Sequence, residues 1–268
     1  MGETIISWAT HTWTPVTGCS KVDKECQRCY AETLSLRRGW SKVPWTVANE
    51  AANVILHPDR MRHPMSYPAG SRVFVTSMGD IFHKEVPDAY LHQCFAMMNA
   101  CKHHRFMVLT KRPERMADWP GPWAPHIWAG TTVGHRGDAA LQRLEDLRRT
   151  PAAIRFVSAE PLLEDLGDID LTGIHQVLVG GESGAGYRPM NMRWARSLRD
   201  RCVAAGSAFF MKQDASFVTE RRPYLVEENG DCFEWKQWPD DLRAPVKVPP
   251  ASAAYHREHF PMYKAAGV

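Results

Sequence analysis

The chain has 268 residues, 44% of them hydrophobic and 24% charged, and a net charge of +3. This composition excludes a mainly disordered chain and a fibrous repeat. The length suits one or two domains, or a single α/β barrel of roughly 250 residues. No apolar run approaches the ~20 residues that cross a bilayer, and no secretory leader opens the sequence, so a cytoplasmic protein without a membrane partner is expected.

A weak apolar run at 4–8 is the first candidate strand. Nearly continuous apolar runs follow at 72–78, 105–110, 126–132, 154–159, 175–181 and 207–211, the pattern of strands buried on both faces. Helical spacing between them predicts helices over 87–103, 137–149 and 190–204. Their apolar faces carry Leu91, Cys94, Phe95, Met98 and Cys101, then Leu141, Leu144 and Leu147, then Trp194, Leu198 and Cys202. Residues 40–70 contain no clear strand and predict a helical insertion with loops. From about Pro223 the pattern changes: 224–238 predicts a hairpin around Asn229–Gly230, and the remainder a surface tail. The alternation predicts an α/β fold with a partial (β/α)6-type parallel barrel in residues 1–222, extended by residues 223–268 over one barrel end or toward substrate. A doubly wound open sheet is the alternative.

In parallel barrels the working residues gather where strands end. Here those positions are Ser77-Met78-Gly79-Asp80, Thr110-Lys111-Arg112, Thr131-Thr132, Ser158-Ala159-Glu160, Gly180-Gly181-Glu182-Ser183-Gly184 and Lys212-Gln213. Polar ends alone need only be turns; acids at three of them and lysines at two suggest a working rim.

Seven cysteines without a leader argue against a disulfide framework. Cys94, Cys101 and Cys202 read as core thiols. Cys19, Cys26 and Cys29 have the spacing Cys-x6-Cys-x2-Cys, on a loop that leaves the first strand and enters a helix. Three thiolates suit two centres. Zinc would need a fourth ligand, such as His11 or another cysteine. An iron–sulfur cube held by three cysteines would keep one iron open.

A three-cysteine loop after the first strand of a parallel barrel resembles the radical S-adenosylmethionine (radical SAM) enzymes, whose usual spacing is Cys-x3-Cys-x2-Cys. The segments SWATHTWTPVTGCSKVDKECQRCYAE, VFVTSMGDIFHKEVP, LTKRPERM, VSAEPLL, VGGESGAGYRPM and FFMKQ are similar to the phage-associated three-cysteine-motif family. The resemblance implies a radical SAM-like barrel in which Cys19, Cys26 and Cys29 hold a [4Fe–4S] cluster. Its open iron would chelate SAM, and one electron would release a 5′-deoxyadenosyl radical. Met78, Gly79 and Asp80 would receive the SAM amino group, and Tyr30 would pack near the adenine. Ser158 and Glu160 would serve the ribose or carboxylate, and Lys111 the carboxylate. Glu182 and Lys212 are candidate catalytic groups; Arg112, Gln213 and Arg188 are candidate substrate contacts. A reductant protein, and a further partner protein, are implied.

Arg188, Arg193, Arg196, Arg199 and Arg201 form a basic region, followed by Arg221 and Arg222. Trp8, Trp13, Trp40 and Trp45 flank the cysteine segment. Basic groups with aromatic neighbours suit a nucleic acid or nucleotide. Two other functions compete with a radical enzyme: a zinc-binding nucleic-acid-interaction protein, and a zinc-dependent barrel hydrolase. The hydrolase lacks a His-x-His or His-Glu-x-x-His motif.

Overall fold

The computed structural model describes residues 2–219, with 225, 226, 232, 233, 236 and 238. The chain opens with β1 (His11–Trp13) and β2 (Val16–Thr17), and β3 (Ile55–Leu56) pairs antiparallel with β2. There follow β4 (Arg72–Val75), β5 (Arg105–Thr110), β6 (Ile127–Thr132), β7 (Arg155–Ala159), β8 (Gln176–Gly180) and β9 (Ala208–Gln213). These and β1 form one parallel sheet in the order β1-β4-β5-β6-β7-β8-β9. Among the described residues β1 and β9 do not pair, so the sheet is a partial barrel. The fold class expected from the sequence is therefore the one found, with seven parallel strands.

The helices are α1 (Tyr30–Arg37), α2 (Glu50–Asn53), α3 (Asp88–Ala100), α4 (Pro113–Asp118), α5 (Asp138–Arg149) and α6 (Met192–Ala205). The apolar faces read from helical spacing largely pack as expected: Leu91, Cys94, Phe95 and Met98 of α3, Leu144 and Leu147 of α5, and Leu198 and Cys202 of α6 are buried. Asn191 caps α6 by accepting from the Arg193 N–H, and Gly206 ends it in the left-handed region.

Side chains alternate across each strand. Val73, Val108, Ala129, Val157, Val177 and Phe209 pack outward with the helices. Phe74, Met107, Trp128, Phe156, Leu178 and Phe210 form a second cluster on the inner face, joined by Trp8. Gly130 makes this filling possible, because a Cβ there would lie 2.2 Å from the Phe156 ring. The same alternation brings Lys111, Thr132, Ser158 and Lys212 to a cavity at the C-terminal rim.

Two expectations need correction. Residues 4–8 are not the first strand; His11–Trp13 is, in register with Val73–Val75. Trp8 instead lies 4.5 Å from the Phe74 ring, because the inner face needs a large plug at its floor. The 40–70 segment has the short helical turns expected of it, but also contains β3, which secures it to β2.

At the C-terminal end β10 (Leu225–Val226) pairs antiparallel with β11 (Cys232–Phe233), as the hairpin reading requires. The Asn229–Gly230 turn and the tail lie outside the described residues. Lys236 bridges to Phe210, and the Trp238 ring lies 5.3 Å from Phe210 and 4.8 Å from the Arg72 guanidinium. Trp238 thus reaches both the last strand and the beginning of β4.

Candidate metal and cofactor site

The loop carrying Cys19, Cys26 and Cys29 runs from β2 to α1, and Cys29 is the residue that caps α1. Five ties hold it on the rim. The Gly18 N–H donates to the Met78 carbonyl at 2.9 Å, which lays the loop along the extension of β4. Ser20 Oγ donates to Glu50 at 3.0 Å and meets His83 Nε2 at 2.9 Å. Arg112 donates through Nη1 to Asp80 at 2.9 Å and to Cys19 Sγ at 3.4 Å, and through Nη2 to the Ser20 carbonyl and hydroxyl, both at 3.0 Å.

The fourth tie is a buried charge cluster. Glu25 accepts from the Gly134 N–H and from Arg143 Nη2, the latter at 2.6 Å. Asp23 lies 2.8 Å from His135 Nε2 and 3.0 Å from Arg143. Despite its burial, the Asp23 carboxyl is held below its usual pKa by His135 and Arg143. Asp23, Glu25 and His135 could together offer ligand atoms to a cation. The Arg143 guanidinium already pairs with both carboxylates, so the group acts as a clamp. In the fifth tie Arg188 forks onto Glu182 and donates through Nη1 to the Lys24 carbonyl at 3.0 Å.

The loop walls a cavity of about 880 Å³, at the upper end of ordinary small-molecule sites. Trp8, Phe74 and Leu109 line its apolar part; Lys111, Thr132, Ser158, Glu160 and Lys212 supply polar groups. Glu160 ties the opposite rim together, accepting from Ser158 Oγ at 3.3 Å and from Lys212 Nζ at 2.6 Å. Burial works against the charged form of Lys111. The negative charges of the Cys26 thiolate, the Glu25 carboxylate and the Cys29 thiolate nevertheless hold its pKa above the ordinary value. Tyr30 and Phe217 stand at the mouth, 48% and 68% exposed, and the Tyr30 hydroxyl donates to the Ser77 carbonyl at 2.8 Å.

The structure thus brings together at the cavity the three cysteines, Tyr30, Gly79, Asp80, Lys111, Arg112, Ser158, Glu160 and Lys212. Some of these, and the remaining expected residues, also have partners within the protein. Asp80 also accepts from the Thr110 hydroxyl and from the Phe82 and Lys111 N–H groups, so its oxygens are engaged within the protein. Arg112 turns toward Cys19. Met78 contributes its carbonyl to the loop. Gln213 donates to the Gly181 carbonyl and accepts from Thr219, bracing the end of β9. Glu182 and Arg188 pair with each other outside the cavity lining. Trp13 and Trp45 are buried, and exposed Trp40 does not line the cavity. On α6, Arg199 pairs with Asp200 and Arg201 with Asp168. Arg221 and Arg222 lie outside the described residues.

Thr76 is a site residue that sequence reasoning missed. It has φ of 65°, a left-handed conformation uncommon for a β-branched residue. Its N–H donates to the Trp13 carbonyl at 2.7 Å. Its hydroxyl is buried without a hydrogen-bond partner among the described residues, and the residue lines the cavity. No local sequence signal marks such a backbone.

A tetrahedral zinc with 2.3 Å bonds gathers its sulfurs to about 3.8 Å apart. Cys19, Cys26 and Cys29 do not come within 4.8 Å of one another as a set. A cube binds each thiolate through a different iron and therefore accepts a wider set. His11, a possible fourth zinc ligand, is buried in β1, stacked 4.6 Å from the Tyr67 ring and bonded to Thr10. Burial pushes the Cys19 thiol up to about 12, with the Asp80 charge adding to the rise and Arg112 opposing it. Cys29 is likewise raised by burial, while the N–H groups of Glu32 and Ala31 pull the other way.

His83, fully buried behind Ser20, makes the loop's anchorage acid-sensitive. Burial first, and then the Arg112 charge, depress its pKa from 6.5 to about 4. Below pH 6.5 the unfolded chain binds a proton that the folded chain refuses. This contribution to stability is therefore complete above that pH and is lost between pH 6.5 and 4, by up to roughly 3 kcal/mol. Urea midpoints for the wild type should fall across that interval, and fall less in His83→Gln.

Residues 3–242 match the family described as "Protein of unknown function (DUF5131)". No curated protein matches the sequence. Two solved structures are similar. One is described as spore photoproduct lyase complexed with dinucleoside spore photoproduct, with 13% identity and a TM-score of 0.46, covering 75% of this chain and 63% of that one. The other is a mutant of spore photoproduct lyase with the same dinucleoside, with 12% identity, a TM-score of 0.46 and coverage of 97% and 77%. The chain thus spans less than two thirds of the first lyase chain. No helix among the described residues is long and apolar enough to cross a membrane.

Proposed function

The chain belongs to the DUF5131 family, and we propose that it is a radical SAM-type enzyme acting on a nucleic acid base or nucleotide. The observation that carries this reading is the loop of three thiols that all line one cavity of about 880 Å³ at the C-terminal rim of the parallel strands. Cys19, Cys26 and Cys29 would hold a [4Fe–4S] cluster. With SAM, that cluster supplies one-electron cleavage of the sulfonium and hydrogen abstraction from substrate.

The chain's own residues would orient and enclose. Lys111 would face the SAM carboxylate as an ammonium donor. Ser158 and the Glu160–Lys212 pair would hold ribose hydroxyls. Gly79 and neighbouring carbonyls, with the Thr76 hydroxyl, would receive polar groups on the β4 side. Tyr30 and Phe217 offer rings at the mouth on which a base can stack. Six basic side chains line the cavity against three acidic ones, which favours an anionic substrate. On this reading the protein groups with the phage-associated three-cysteine-motif proteins. It would work in a reducing cytoplasm, with an external reductant protein and a role in nucleic acid modification or repair. The segment from 223 onward would be an extension that covers one end of the barrel of 1–222, where Trp238 packs on Phe210 and Arg72.

The test is anaerobic reconstitution, with iron and sulfide measured per chain and 5′-deoxyadenosine measured after adding SAM and dithionite. About four irons with SAM cleavage are expected. Tight zinc without sulfide or cleavage would overturn the reading and favour a zinc-binding nucleic-acid module. Binding of labelled oligonucleotides should weaken steeply with salt; no binding at low salt would remove the proposed substrate class.

Thr76 gives a test with effects of opposite sign. Its backbone strain costs about 1–3 kcal/mol, so Thr76→Gly should raise the unfolding midpoint. Loss of the hydroxyl should weaken SAM binding to the reconstituted protein about tenfold, the cost of one hydrogen bond to a charged group. Thermal scans and equilibrium dialysis read the two effects separately.

A further inference from the structure

We infer that Arg112, held by Asp80, sets the reduction potential of the cluster through Cys19. This rests on the reading of the three cysteines as cluster ligands and adds a residue to it. Arg112 follows β5, 93 positions from Cys19 in sequence, yet its Nη1 donates to the Cys19 sulfur at 3.4 Å. The guanidinium cannot easily swing away. Nη1 also meets Asp80 at 2.9 Å, and Nη2 meets both oxygens of Ser20 at 3.0 Å. Asp80 is fixed in turn by the Thr110 hydroxyl at 2.7 Å and the Phe82 N–H at 3.0 Å. Arg112 and Asp80 are both buried, so solvent screens their charges little.

Iron–sulfur potentials follow net charge, hydrogen bonds to sulfur and exposure. One electron from an external low-potential donor takes a [4Fe–4S] centre from its 2+ to its 1+ state, with no bond made or broken. An N–H···S bond and an adjacent positive charge both stabilise the more negative, reduced state, so Arg112 raises the potential. The Asp80 charge opposes this while its carboxylate aims the guanidinium. Arg112 is thus a positioning residue acting through Cys19.

The experiment is an EPR-monitored redox titration of anaerobically reconstituted protein, with iron and sulfide counted in every sample. The midpoint should move to lower potential in Arg112→Gln and to higher potential in Asp80→Asn, with cluster content unchanged. Arg112→Gln leaves a buried carboxylate unpaired, so it is the variant at risk of not folding. Arg112→Lys, which keeps a cation beside Asp80 but loses the fork that reaches Cys19 and Ser20 together, then decides, and its midpoint should also fall. Midpoints equal to that of the wild type in the cluster-bearing variants would overturn the inference and leave the enzyme class standing. Cluster loss from folded variants would also overturn it, because Arg112 would then only shape the loop. Absence of any cluster in the wild type would bring down the enzyme reading, and the inference with it.

Discussion

The double variant Cys26→Ala/Cys29→Ala should fold, hold less than about one iron per chain, and form no 5′-deoxyadenosine. One remaining thiolate cannot retain a four-iron cube. The fold should survive because the loop's ties lie at Gly18, Ser20, Asp23, Lys24 and Glu25, not at these two sulfurs. Both cysteines are only half-buried, so a change in stability within about 1 kcal/mol is expected. Unfolding curves, iron assays and chromatography of reaction products separate the three effects. Retention of about four irons by the double variant would show that other residues bind the metal.

The second large effect is expected at Gly18. Its φ is +85°, and a Cβ there would lie 1.8 Å from the Asn53 carbonyl oxygen. That contact is backbone on backbone, so neither partner can rotate away. Gly18→Ala must either pry the β2–β3 pair apart or give up the Gly18–Met78 hydrogen bond that lays the cysteine loop on the rim. A loss above about 4 kcal/mol is expected, a large part of the ~5–15 kcal/mol that holds a domain. Gly173→Ala is the control. Gly173 has φ of +72° with no atom within 4 Å of a Cβ, so only the left-handed backbone is penalised, by about 1–2 kcal/mol. Equal losses in the two variants would mean that crowding at Gly18 does not secure the loop.

Much of the barrel was legible because strand periodicity is local. The apolar runs at 72–78, 105–110, 126–132, 154–159, 175–181 and 207–211 cover the six larger parallel strands. Their alternation also predicts which rim residues share a face: Lys111, Ser158 and Lys212 lie an even number of positions after the inward Met107, Phe156 and Phe210. The first strand was misplaced for a physical reason. Residues 4–8 are as apolar as a strand, but Trp8 is used to fill the barrel floor, while three-residue β1 carries too short a pattern to stand out. Glu182 and Lys212 looked alike as charged strand ends; only their neighbours separate them, Arg188 for one and Glu160 for the other.

The sequence by itself determined the parallel α/β class, the buried thiols at Cys94, Cys101 and Cys202, and the three-cysteine loop. Each follows from spacing along the chain, which local backbone geometry converts directly into a strand, a helix face or a ligand loop. Only the tertiary structure decided that Arg112 meets Cys19, that Arg143 clamps Asp23 and Glu25, that the three sulfurs share one cavity, and that Thr76 adopts a left-handed backbone beside it. A charged residue in sequence looks the same whether it faces water or a partner about a hundred positions away. Its role is fixed when folding removes the water and leaves that partner as its only source of compensating charge.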